Sequence, residues 1–242
     1  MNTLKTVGAI GVLLGACTWA GAAPILNISS QGAAAAAAAE LDFLSTAHSG
    51  YLTETFDDNT FYTVGSQAGT ITSSVGVGDF TSAVPGSGGL CDSGPYNCND
   101  GLAVLNASAS PFSGRYAISG NNWLDSMDAR QMVISPAAGF NSMGFYITDP
   151  NDAGGRFSIG GVDFSFNDIF GSALGNGRVY YVSLYDAAGL GDVSIFSNNP
   201  DDGYGIDNVT VANVTEPGTL ALLALGLLGI GLSLSRKSKR NR

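Results

Sequence analysis

The sequence predicts an all-β protein, an antiparallel β-sandwich of jelly-roll-like build, and three observations carry that prediction. Short apolar runs recur between Gly, Ser, Thr, Asn and Asp punctuation, in a chain with 34 glycines among 242 residues. One of them, NSMGFYITD, puts Met143, Phe145 and Ile147 on one face and Ser142, Gly144, Tyr146 and Thr148 on the other, the period of a half-buried strand. Strands alternating with helices, which a parallel sheet needs for its crossovers, are missing.

Taken in order, residues 1–22 read as a cleaved export signal. A single cation, Lys5, precedes the apolar stretch Val7–Ala16, and Ala20-Gly21-Ala22 fits the small-residue cleavage pattern, making Ala23 the first mature residue. Leu14-Gly15-Ala16-Cys17 also reads as a lipobox that would lipidate Cys17. The downstream cleavage site and a second apolar segment at the other end favour the cleaved signal. Residues 23–48 form an Ala-rich segment, with seven consecutive alanines at Ala33–Ala39. Alanine is the strongest helix former. The segment is either a short helix packing Leu41 and Leu44 or a low-complexity spacer.

Residues 49–211 hold the predicted sandwich. Besides the run around Phe145, strands are expected at Leu52–Phe56, Thr70–Val77, Leu102–Asn106, Arg115–Ser119, Gln131–Ser135, Arg156–Phe166, Val179–Tyr185, Val193–Ser197 and Ile206–Val211. Regular turn signals between such runs mark a sandwich. Cys91 and Cys98 bracket a Gly-Pro turn in CDSGPYNC. In an oxidising compartment that spacing predicts a disulfide closing a short loop, whereas a C-x-x-C redox or metal spacing is absent.

Charge narrows the function. With both ends removed, the body carries 19 acidic residues against four arginines and no lysine. Such a surface repels phosphate backbones, so no nucleic acid is expected as a partner. The single histidine, His48, comes without a nucleophile elbow, and zinc ligands are lacking. Glutamate, a common glycosidase acid, occurs in the body only as Glu40 and Glu54. The acidic turns are a different matter. Asp149, Asn151 and Asp152 in TDPNDAGG, with Asp201, Asp202 and Asp207 in NPDDGYGIDN, are hard oxygen donors on tight loops, the kind calcium prefers. Plain turn hydrogen bonding uses the same residues. Trp123, in the polar stretch SGNNWLDS, is a candidate platform for stacking on a sugar ring, although one tryptophan in a sandwich is more often core.

The final segment, residues 212–242, supplies the address. From Pro217 to Ser235 no residue is charged, and a helix of that length reaches about 28 Å, near the hydrocarbon thickness of a bilayer. Arg236, Lys237, Lys239, Arg240 and Arg242 follow it, which predicts a transmembrane helix with the body outside and the cations inside. Thr215-Glu216-Pro217-Gly218, the span and the Arg/Lys cluster together resemble the sorting tail of PEP-CTERM proteins, with Thr215 where proline is usual. That resemblance implies a Gram-negative bacterial export handled by an exosortase, its sorting signal at Thr215, Glu216, Pro217, Gly218, Arg236 and Lys237. An ordinary permanent anchor would use the same apolar span. The stretches GFYITDPNDAGG, VYYVSLYD and GYGIDNVTV also resemble sandwich domains found ahead of such tails.

The expectation is thus an exported, non-enzymatic sandwich, anchored at least transiently in the inner membrane and then at the cell surface or in the extracellular matrix. Its expected work is adhesive or structural within an exopolysaccharide matrix, with polysaccharide as partner and calcium as the one candidate cofactor. The alternative is a carbohydrate-active enzyme or carbohydrate-binding module on the same kind of fold.

Overall fold

The computed structural model describes residues 23–150, 154–171 and 176–214. Fourteen strands among them form two sheets, and every pairing is antiparallel. The larger sheet runs β1 (Ile25–Ile28), β12 (Val179–Tyr185), β9 (Ser142–Thr148), β14 (Gly205–Val214), β7 (Asn122–Asp125), β6 (Leu102–Asn106) and β3 (Gln67–Ala68). Strand β2 (Ala47–Glu54) pairs along the second half of β14. The smaller sheet runs β11 (Val162–Ser165), β10 (Arg156–Ile159), β13 (Val193–Phe196), β8 (Gln131–Pro136), β5 (Gly78–Val84) and β4 (Thr70–Thr72). The expected signal at 1–22 and the transmembrane helix at 217–235 lie outside the described residues. Among the described ones, no helix is long and apolar enough to cross a membrane.

One apolar core joins the sheets. Met143, Phe145 and Ile147 of β9 and Val182 and Leu184 of β12 meet Phe80, Met132, Ile134, Phe157 and Ile195 from the smaller sheet. Ring contacts cross between them, with Phe145 and Phe157 centroids 6.1 Å apart. The period-two pattern therefore does what it predicts, sending alternate side chains to the shared core.

The prediction of a half-buried β9 needs correcting, because all seven of its residues are buried. Helix α1 (Ala33–Ser45) lies over the outer face of the larger sheet and covers it. Alanine's small side chain suits that position, since it lets a helix backbone approach a sheet closely; Ala36 has no exposure at all. Phe43 sits 6.0 Å from the ring of Tyr181, which in turn lies edge-on to Tyr146 at 5.1 Å. Gly144 is required beneath this layer, because a side chain there would collide with the Tyr181 hydroxyl. Leu41 does not pack as expected but is 67% exposed. At 3.6 residues per turn it points away from the face that Ala36 and Phe43 share, and Leu44 packs at the edge instead.

Three further expectations shift. Arg156–Phe166 is a hairpin, β10 and β11 joined at Gly160-Gly161, whose φ values of 55° and 80° suit the tight turn that favours paired glycines. Arg115–Ser119 is irregular chain. Strands β1, β3, β5 and β7 fall in stretches that do not read as strands in the sequence.

Candidate functional site

Strand β14 ends where the sorting tail begins, and its last residue is held from two sides. Val214 pairs with Ala47 of β2. Its N–H donates to Asn141 Oδ1 at 2.9 Å, and its carbonyl accepts from Asn141 Nδ2 at 2.9 Å. The side-chain amide of Asn141 thus stands in for a strand partner, and order continues up to the junction. Thr215, Glu216, Pro217, Gly218, Arg236 and Lys237 themselves lie outside the described residues.

Val214 also lines a cavity of about 500 Å³ on the outer face of the larger sheet. Its roof is the second half of α1, with Ala39, Asp42, Phe43 and Thr46, and its floor comes from β1, β12 and β9. Exposed polar groups, Asn27, Asp42 and Thr46, stand among the lining, while Phe43, Tyr181 and Leu184 are buried. The Tyr181 hydroxyl is buried without a hydrogen-bond partner among the described residues. Burial, and then the nearby Glu40 carboxyl, hold that phenol well above its usual pKa.

Polar burial is concentrated at the other end of the larger sheet. Arg115 is buried and reaches Asp125 at 3.0 Å, Asp128 at 2.7 Å and Asp202 at 3.2 Å, with its guanidinium 3.9 Å from the Phe112 ring centroid. Burial works against the arginine's charge, but Asp125 and Asp128 outweigh it and raise its pKa. Asp128 is itself pushed upward, by burial first, against the pull of Arg115. Met127 and Asp128 both take positive φ, 48° and 57°, turning the β7–β8 connection back so that Asp128 also accepts from the Cys91 N–H at 3.3 Å. Cys91 and Cys98 form the expected disulfide, with Cα atoms 4.8 Å apart, and it packs in one cluster with Trp123, Leu105 and Met127.

Trp123 is therefore no sugar platform. It sits on β7 with 1% exposure, and its indole N–H donates to Asp125 Oδ2 at 3.1 Å. The four described members of the calcium set have separate partners or surroundings. Asp149 is buried and accepts from the Gly177 N–H at 2.7 Å, Asp202 meets Arg115, and Asp201 is exposed. Asp207 is buried and accepts from the N–H groups of Ile118 at 2.7 Å and Ser119 at 3.1 Å. Asn151 and Asp152 lie outside the described residues. Among the described residues, no three His, Cys, Asp or Glu side chains gather where they could hold a metal ion.

What sequence reasoning misses here is the binding of an irregular loop by carboxyl groups. Asp207 takes the amides of Ile118 and Ser119. Asp57 takes those of Asn121 at 2.8 Å and Asn122 at 3.1 Å. A side chain at Gly120, between them, would run into Asp57. Glu54 collects the Phe56 and Ser74 N–H groups and the hydroxyls of Tyr62, Ser73 and Ser74. The one available signal was chemical: a body this rich in acids and poor in cations must satisfy buried carboxyls with neutral donors.

Comparison with known proteins agrees with the address. The PEP-CTERM protein-sorting motif is found at residues 213–237, so its match begins on the last two residues of β14. That motif is a sorting signal recognised by exosortase, and it marks the chain as an exported protein that transits the membrane. No curated protein matches the chain. Among solved structures, the K2 cleaved adhesin domain of Lys-gingipain (Kgp) is similar at 15% identity and a TM-score of 0.38, over 68% of this chain and 99% of that one.

Proposed function

We propose that this protein is a non-enzymatic, jelly-roll-like β-sandwich delivered to the envelope or surface of a Gram-negative bacterium, where it does adhesive or structural work in an exopolysaccharide matrix. The observation that carries the reading is the junction itself. A sorting motif begins on the last two residues of a strand in the middle of the larger sheet, so the folded body and its delivery signal adjoin without a spacer. The disulfide supports the same compartment, since such bonds persist outside the reducing cytosol. A body with no lysine and a large acidic excess suits neutral glycans better than polyanions.

Cell fractionation, followed by intact mass of the mature chain, tests this. The expected product is envelope-associated, begins at Ala23, retains the Cys91–Cys98 bond, and is shortened near Glu216–Gly218 only in cells that possess exosortase. It binds polysaccharide without releasing reducing ends. A cytosolic chain of full length with free thiols would overturn the reading.

A further inference from the structure

The register of β9 against β12 brings one asparagine–glycine pair up against a buried acid. Thr148 pairs with Val179, so Asp149 and Gly177 fall just beyond the ladder, facing each other. Asp149 donates its N–H to the Arg178 carbonyl at 2.8 Å, and its buried carboxyl accepts the Gly177 N–H at 2.7 Å through Oδ1. Asn176, the residue before, donates from Nδ2 to Ser113 Oγ at 3.0 Å. From the other side, the Tyr116 hydroxyl donates to the Gly177 carbonyl at 3.1 Å. Gly114, at φ 90°, lies beneath both side chains, since a Cβ there would run into Asn176 Oδ1 and Asp149 Oδ2. The amide nitrogen, the side chain it follows and a carboxylate are thus held together at one corner.

We infer that Asn176–Gly177 is a self-modifying site, with Asp149 as the base that converts Asn176 to aspartate and isoaspartate. Gly177 brings a backbone nitrogen that no side chain shields. It attacks Asn176 Cγ as its proton passes to Asp149 Oδ1. A C–N bond forms, the bond to the side-chain nitrogen breaks, and ammonia leaves with that proton. Water then opens the cyclic imide at either carbonyl, which gives aspartate or isoaspartate. Asn176 is exposed while Asp149 is buried, so water reaches the imide and the base stays shielded. Fixing the reacting groups in place supplies the rest of the help. The outcome is written into the same corner. A neutral amide oxygen beside Asp149 becomes a carboxylate beside a carboxylate, and like charges disfavour each other. The tie between residues 113–116 and the start of β12 then weakens, so the folded protein carries a clock whose rate its own side chains set.

The test incubates the full chain at neutral pH beside a free peptide of residues 171–182 in the same buffer. Ammonia release and peptide mapping, which separates aspartate from isoaspartate at 176, give the two rates. General-base help is worth about 100-fold or more where fully developed, and against a weakly acidic amide the folded chain is expected to convert about tenfold faster than the peptide. Its rate should also depend less on pH, because hydroxide is the base in the peptide. Asp149→Asn keeps an acceptor for the Gly177 N–H and tolerates the φ of 61°, but takes no proton, so its rate is expected to fall to that of the peptide. Asn176→Asp, which supplies one product outright, is expected to melt below wild type and to exchange faster at the amides of 114–116. A folded chain that converts no faster than the peptide would overturn the proposal, and this comparison needs no variant should Asp149→Asn fail to fold. A folded Asp149→Asn that converts at the wild-type rate would overturn it as well.

Discussion

Two regions of this molecule bury carboxyl groups by opposite means. Beneath the disulfide loop, Asp125 and Asp128 are completely buried and share one cation, Arg115, with Asp202 at the edge. Along β2, β14 and the irregular chain between β6 and β7, Glu54, Asp57 and Asp207 have neutral partners only: amide N–H groups and hydroxyls. The difference follows from composition. A body with four arginines and nineteen acids can build few ion clusters, so its remaining buried acids must organise backbone instead. The first region is held by a charge and fails when that charge goes. In the second, a carboxyl gathers amides from chain that, Asn122 of β7 apart, has no ladder partners, and it serves as the scaffold.

The sharpest way to break the contrast is to remove the shared cation. Arg115→Met keeps much of the side chain's length over Phe112 but leaves Asp125 and Asp128 facing each other without a counter-charge. Breaking a buried pair on one side typically costs about 3–5 kcal/mol. Urea unfolding is expected to show a loss of that size, easing as pH falls and Asp128, already raised by burial, takes up a proton. A loss under about 1 kcal/mol would mean that the cluster is much more hydrated than its burial implies.

Glu54→Gln probes the other region with a smaller expected effect. One of the two acceptor oxygens becomes an NH₂ group, turned toward the hydroxyls of Ser73 and Ser74, which lose their acceptor, while Tyr62 keeps the Thr72 carbonyl at 3.2 Å and the Ser74 N–H keeps the Tyr62 hydroxyl at 2.8 Å. Stranding buried donors costs about 1–3 kcal/mol. Hydrogen exchange is expected to speed up at the Phe56 and Ser74 amides first, while amides of β9 stay protected until global unfolding. Equal acceleration at both sites would remove the distinction between a local scaffold and the core.

The same contrast explains what could be read from the sequence. Met143, Phe145 and Ile147 announce their strand because the shared core imposes period two on them. Cys91 and Cys98 announce their bond by spacing, and the tail announces itself by composition. Trp123 misleads because Asn121, Asn122 and Asp125 look like turn residues. In the fold, the Asn121 and Asn122 amides are accepted by Asp57, and Asp125 meets Arg115 and the indole itself, so a polar-looking stretch becomes an interior strand. Arg115–Ser119 misleads in the other direction. Its pattern resembles a strand, yet two of its amides go to Asp207, 88 and 89 residues further along the chain. No local period encodes a carboxyl arriving from that distance. Helix α1 was legible only as one of two readings, helix or spacer, and its register was not legible, because seven alanines give no face until Phe43 picks one.

Asp207 offers the finest test, because its protonation can be set from outside. Burial pushes its pKa up to about 7, only partly offset by the N–H groups of Ser119, Ile118 and Asn208, and the Asp57 carboxyl adds to the rise. A raised acid binds its proton more tightly when folded than when unfolded. Its contribution to stability is therefore complete only below the ordinary aspartate value of 3.8 and is lost as pH climbs from there through about 7. Between pH 5 and pH 8 that loss amounts to about 2 kcal/mol. Asp128, raised in the same direction, contributes to the wild-type slope as well, so the informative quantity is the difference between proteins. Asp207→Asn should be less stable than wild type at pH 5, where an amide matches the loop's N–H groups less well. Its stability should also fall by about 2 kcal/mol less on going to pH 8. Parallel pH profiles for the two proteins would show that Asp207 does not titrate in this window, and that its three N–H partners outweigh its burial.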